Sequence, residues 1–309
     1  MTDVRAGGSR VRTVFLGSGG FGVEPLRALA AHTDIDLVGV VTAPGGGTPI
    51  AEAAGFLRLE PILAPRRLRA ADSIASILAL EPGLIVLADY GQIVPADLLA
   101  LPHGALNLHP SLLPRHRGAT PIPAAILAGD AETGVSLMRM DAGLDTGPLV
   151  GQRRLPLSGD EVAPDLEVAL SAEGADLLGV SLAPWLRGES ISTPQGEAGA
   201  TMTRPLRRAD GRLDPARSVV DLERQVRAFQ PWPGSFIDTK DGRIVVWDAS
   251  AESGSTGPSG IIVPAGLSTS DGILVLHEVQ PAGGKRMPWA AFLRGRPGIV
   301  GSSALASDA

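Results

Sequence analysis

Apolar runs and helical stretches alternate along the first two-thirds of this chain. Residues 12–17 read as a buried strand that runs into a glycine turn, and 35–42 as a second strand rich in Val and Ile. Residues 61–63, 84–88 and 104–108 read as further strands, and 133–140 alternates as a strand does. Between them 24–31, 72–80, 95–101 and 121–128 read as helices, with Pro25 acceptable in a first turn and Asp72 expected as an N-cap. A long helix over 165–186 closes this part. Strands alternating with helices predict an α/β fold with a mostly parallel sheet covered on both faces.

The pattern then changes. Residues 188–203 are short of apolar side chains and rich in Gly, Ser, Thr and Gln, and are expected to be a linker. A helix over 219–229 precedes short strands at 234–238, 243–249, 260–263 and 272–279, with a flexible loop at 251–259. Short strands at close spacing predict a small barrel. The expected division is a catalytic domain at 1–187, a linker at 188–203 and a barrel domain at 204–309.

Composition narrows the chemistry. A 44% hydrophobic fraction supports a buried core, and only 4% aromatics means that aliphatic residues must fill it. With no cysteine, disulfides, thiol catalysis and Cys-ligated metal are excluded. Met1 to Arg10 is polar with no apolar signal core, so a cytoplasmic protein with no membrane partner is expected. The net charge of −6 is not that of a general nucleic-acid binder. Cations nevertheless cluster, with Arg204, Arg207, Arg208, Arg212 and Arg217 in one stretch and Lys285, Arg286, Arg294 and Arg296 in another. A local patch matters more than the total when the partner is a phosphate backbone.

Gly17-Ser18-Gly19-Gly20-Phe21-Gly22 matches the dinucleotide turn, but the next strand ends in Val41-Thr42-Ala43-Pro44 without the acid that a ribose needs. The glycines then serve a tight turn, through positive φ or close packing. His103, His109 and His116 lack metal-ligand spacing, and no metal is expected. Ser111 lacks the flanking glycines of a nucleophile elbow. A coherent set remains. Asn107 and His109 are two apart at the carboxyl end of a strand, so their side chains leave one face. Asp145 lies between Gly143 and Gly147 on a loop that can reach the same crevice. An amide can donate to a developing oxyanion, an imidazole can move a proton near neutral pH, and a carboxylate can orient the imidazolium. Together they suit acyl transfer through a tetrahedral intermediate.

The run from Asn107 to Ile122, Asn-Leu-His-Pro-Ser-Leu-Leu-Pro-Arg-His-Arg-Gly-Ala-Thr-Pro-Ile, strongly resembles the signature of folate-dependent formyltransferases, and 129–135 and 143–147 continue it. Tyr90-Gly91-Gln92-Ile93-Val94-Pro95 resembles the segment that lines their pterin pocket. The segments 227–236 and 280–287 resemble the C-terminal domain of the members that act on tRNA.

The resemblance implies a Rossmann-like formyltransferase domain followed by a small OB-like β-barrel domain that helps to hold tRNA. It implies transfer of formyl from 10-formyltetrahydrofolate, the donor substrate, to the α-amino group of initiator methionyl-tRNA; a monomer is expected. Asn107, His109 and Asp145 match the catalytic positions, and Ser111, Leu112, Leu113 and Pro114 the folate-contacting turn. Arg204, Arg207, Arg208, Lys285 and Arg286 are expected to contact tRNA. The chain departs from the family at 43–49, where a longer basic loop usually reaches the acceptor stem and this chain has no charge. That loop supports an alternative, a formyltransferase for an amino sugar or other small amine. A formyltetrahydrofolate hydrolase would use the same three residues, but carries an N-terminal regulatory domain for which Met1 to Arg10 leaves no room.

Overall fold

The computed structural model describes residues 10–254 and 258–304, which fall into two compact units. Of the described residues, the first comprises 10–121, Glu132–Pro156 and Glu167–Arg204, and the second Ile122–Ala131, Leu157–Leu166, 205–254 and 258–304.

In the first unit β1 (Val11–Gly17), β2 (Ile35–Val41), β3 (Ile62–Leu63), β4 (Leu84–Ala88) and β5 (Ala105–His109) pair in parallel in the order β3-β2-β1-β4-β5. A short strand β6 (Arg117–Gly118) follows. β7 (Glu132–Arg139) and β8 (Leu149–Pro156) extend the large sheet antiparallel beyond β5. All five residues of β4 are buried, as both-face coverage demands. Helices α1 (Val23–Ala31), α2 (Pro49–Phe56), α3 (Ala71–Leu78) and α4 (Ala96–Leu99) connect the parallel strands. α5 (Pro121–Ala128) falls in the second unit from Ile122 onward, and the 24-residue α6 (Ala163–Leu186) belongs to the first from Glu167.

Two expectations need correction, and two elements were not foreseen. Asp72 is not the cap of α3; Ala70 holds that position without a side-chain hydrogen bond, and Asp72 lies in the first turn. α2 escaped the pattern because it is short and only weakly two-sided, although Thr48 caps it by accepting the Ala51 N–H and Pro49 opens it. β8 escaped because it is a sheet-edge strand with no fully buried residue. The polar stretch 188–203 is bound into the first unit, since Thr193 bridges to Leu149 and β9 (Met202–Thr203) pairs with β6.

In the second unit α7 (Val219–Ala228) packs on an antiparallel sheet. Its strands β10 (Ser235–Thr239), β11 (Gly242–Ser253), β12 (Ile262–Val263), β13 (Gly266–Ser268) and β14 (Gly272–Pro281) run in the order β10-β11-β14-β13-β12, and β15 (Met287–Pro288) pairs with β14. α8 (Trp289–Gly295) follows. The outer strands are covered, β10 by a bridge from Arg212 to Phe236 and the β12 side by one from Ile261 to Ser303. Leu222, Val226, Val246, Leu274, Trp289 and Phe292 belong to its core. Of the loop expected at 251–259, the first three residues belong to β11, and 255–257 lie outside the described residues.

Candidate active site at the carboxyl edge of the parallel sheet

Gly17 pairs beside Ala88 and Ala88 beside Leu108, so the next residues, Ser18, Asp89 and His109, share one edge of the sheet. The strand order reverses between β1 and β4, where open α/β sheets hold their ligands.

Asn107 and His109 are buried, and the loop between β7 and β8 brings Asp145 to both. Asp145 Oδ2 lies 3.6 Å from His109 Nδ1, and its Oδ1 lies 3.4 Å from Asn107 Nδ2. The three residues therefore form one cluster. The other imidazole nitrogen is occupied, because His109 Nε2 donates to the His116 carbonyl at 2.9 Å. A carbonyl only accepts, so Nε2 carries a hydrogen and Nδ1 is the nitrogen left for chemistry. Asn107 Oδ1 is buried without a hydrogen-bond partner. An orphaned acceptor of this kind fits a site in which a ligand supplies an N–H.

Asp145 is aimed by its neighbours. Its backbone is in the left-handed region with φ 54°, and its Oδ2 accepts the Gly118 N–H at 2.7 Å. Gly118 has φ 106°, and a Cβ there would come within 2.3 Å of the Thr203 carbonyl oxygen. Only glycine suits that position. The 17–22 glycines resolve the other way. None has a positive φ, and a Cβ on Gly19 would stand 1.6 Å from Asp89 Oδ2, so close packing is what they serve.

Beside the cluster, between β1 and β4, lies a crevice of about 580 Å³ lined in part by Ser18, Pro44, Arg66, Asp89, Tyr90 and Gln92. Asp89 has φ 53°, and burial, followed by the charge of Glu167, pushes its carboxyl up to about 6. Its outer surface still meets water at the crevice mouth. Burial also pushes the Tyr90 hydroxyl up to about 12, and that hydroxyl is buried without a partner. Asp89 was missed in the sequence; the available signal was an acid directly after a wholly apolar strand.

The turn after β5 is tied inward. Ser111 Oγ donates to the Arg115 carbonyl at 2.6 Å, and the Leu113 N–H donates to Ser136 Oγ at 3.0 Å. Ser111 and Leu113 are buried, which leaves Leu112 and Pro114 partly exposed. Arg204, Arg207, Arg208, Lys285 and Arg286 are exposed. Arg286 is ion-paired with Glu278 at 2.6 Å, and its guanidinium lies 5.1 Å from the Trp247 ring centre. The uncharged loop after β2 turns through Gly45, Gly46 and Gly47, all at positive φ, and is closed by a Thr42–Thr48 hydroxyl contact of 2.8 Å. Among the described residues no group of three or more His, Asp or Glu is arranged to hold a metal ion, and no helix is long and apolar enough to cross a membrane.

Residues 28–179 match the formyl transferase family, and 205–297 match the formyl transferase C-terminal domain. Methionyl-tRNA formyltransferase of Roseiflexus sp. (strain RS-1) is 41% identical, covering 92% of each chain. That of Myxococcus xanthus (strain DK1622) is 40% identical, covering 95% of this chain and 98% of that one. The chain belongs to the methionyl-tRNA formyltransferase family. Its fold is shared with WlaRD, a sugar 3N-formyl transferase solved in the presence of dTDP and 5-N-formyl-THF, with a TM-score of 0.63 at 16% identity over 87% of this chain and 97% of that one.

Proposed function

We propose that the protein moves a formyl group from 10-formyltetrahydrofolate to the α-amino group of initiator methionyl-tRNA, in the cytoplasm, through the Asn107–His109–Asp145 cluster. The observation that carries this reading is the 3.6 Å approach of Asp145 to His109 beside a buried, unpartnered Asn107 oxygen. The amine attacks the formyl carbon directly, and the N10 of the folate leaves with a proton. Nδ1 of His109, which the His116 carbonyl does not take, is the ring position that a proton can occupy to face the oxyanion. The second N–H of Asn107 is available for the same oxygen, since one is directed at Asp145. One well-placed oxyanion donor contributes about 3 kcal/mol of barrier lowering. Asp145, whose Oδ2 lies 3.6 Å from Nδ1, takes the proton from the attacking amine, directly or through water.

The donor fits this edge because the turn after β5 leaves Leu112 and Pro114 open while Ser111 and Leu113 anchor it. Arg204, Arg207, Arg208, Lys285 and Arg286 supply exposed cations for the tRNA phosphates. Purified protein incubated with 10-formyltetrahydrofolate and methionyl-tRNA, amino sugars or buffer tests the reading. Formylation of the methionyl amine is expected. Formyl on a sugar amine alone, or formate released equally without an acceptor, overturns it.

A further inference from the structure

Asp145 does its work only if a loop residue is held still. The loop from Asp141 to Leu144 is exposed, and its own ties are local, with Asp141 accepting from Gly143 N–H at 2.9 Å and from the Thr146 hydroxyl. The external grip comes from the stretch expected to be a linker. Gln195 Nε2 donates to the Asp145 carbonyl at 2.9 Å and to the Gly147 carbonyl at 2.7 Å. One amide nitrogen thus pins the loop on both sides of Thr146.

Gln195 is itself fixed. Its Oε1 accepts from Arg117 Nε at 3.2 Å and from the Arg117 terminal nitrogen at 3.0 Å. Arg117 is buried, its guanidinium also reaches Glu197, and its N–H donates to the Thr201 carbonyl. The next residue, Gly118, gives its N–H to the Asp145 carboxylate. The main chain and the side chain of Asp145 are therefore anchored to two adjacent residues of β6, which closes a ring around the acid. Within that ring the amide orientation is dictated, because two carbonyls demand the nitrogen and a guanidinium demands the oxygen. Glutamate in the same place would set a carboxylate against both carbonyls.

We infer that Gln195, held by Arg117, is a positioning residue that aims Asp145 at His109. This rests on the proposed role of Asp145 in formyl transfer. Displacing a reacting group by about 1 Å costs on the order of a hundredfold in rate, so a lost clamp is read in kcat.

The test compares wild type with Gln195→Ala, Gln195→Glu, Arg117→Lys and Glu189→Gln. Glu189 lies in the same stretch but pairs with Arg187 on the surface. Formylation of methionyl-tRNA is followed with melting midpoints and the imidazole ¹⁵N signals of His109. Both Gln195 variants are expected to lose about ten- to a hundredfold in kcat, with the KM for the folate donor within about twofold and a moved His109 signal. Arg117→Lys, which keeps the buried cation but loses the fork, falls between, and Glu189→Gln matches wild type. Unchanged kcat and an unmoved His109 signal in a folded Gln195 variant overturn the inference. If neither Gln195 variant folds, the same result in Arg117→Lys overturns it. An inactive wild type refutes the proposed function instead, and the two failures stay distinct.

Discussion

Asp145→Asn removes one charge and almost no volume, so it isolates the electrostatic part of the site. Oδ2 stands 3.6 Å from His109 Nδ1, and the two side chains are only 11% and 6% exposed. Unit charges about 4 Å apart interact by about 4 kcal/mol at an effective dielectric near 20. An amide dipole retains a part of this, leaving a loss of about 3 kcal/mol, or roughly a hundredfold in rate. The fold should tolerate the change. The amide oxygen still accepts the Gly118 N–H, and exchanging a charged for a neutral acceptor costs about 1 kcal/mol. Steady-state formylation of methionyl-tRNA at varied donor concentration separates the terms. The expected result is a kcat about a hundredfold lower, a donor KM within about threefold, and a melting midpoint only a few degrees lower. A variant whose kcat stays within about fivefold of wild type, near 1 kcal/mol, would refute the reasoning.

Two further outcomes follow from the same structure. Asp89 is raised to about 6 in the folded protein, above the ordinary carboxylate value of about 3.9. The native state then binds the proton more tightly than the unfolded chain, and stability declines as pH climbs from about 4 to about 6. Asp89→Asn is expected to melt higher than wild type at pH 7 and at the same temperature near pH 4. Water at the crevice mouth limits the gain to about 1 kcal/mol, and an equal offset at both pH values would contradict it. Arg207→Ala and Lys285→Ala, both at exposed positions, should each lower the slope of log affinity for tRNA against log salt by about 0.7 to 0.9. Folate binding, measured in parallel, should stay unchanged; a slope equal to wild type removes these side chains from the tRNA contact.

Much of the fold was legible because it is locally encoded. The wholly apolar β4 and the strand carrying Asn107 and His109 follow from short-range hydrophobic patterns. The edge strand β8 and the short helix α2 lack such a pattern, since packing on only part of their surface decides them. The chemistry divides in the same way. That an amide and an imidazole leave one face follows from their spacing, because side chains alternate along a strand.

By itself, the sequence determined which groups this protein owns and which local elements carry them. Only the tertiary structure decided which atoms are free to act. The His116 carbonyl takes Nε2 of His109, Gly118 aims the Asp145 carboxylate, and Gln195, 50 residues beyond Asp145, holds its carbonyl. The surroundings of Asp89 exist only once the end of β4 is set beside β1. The physical reason is range. Backbone periodicity acts over a few residues, whereas a hydrogen bond across 50 residues depends on the packing of everything between them, and no local pattern records it.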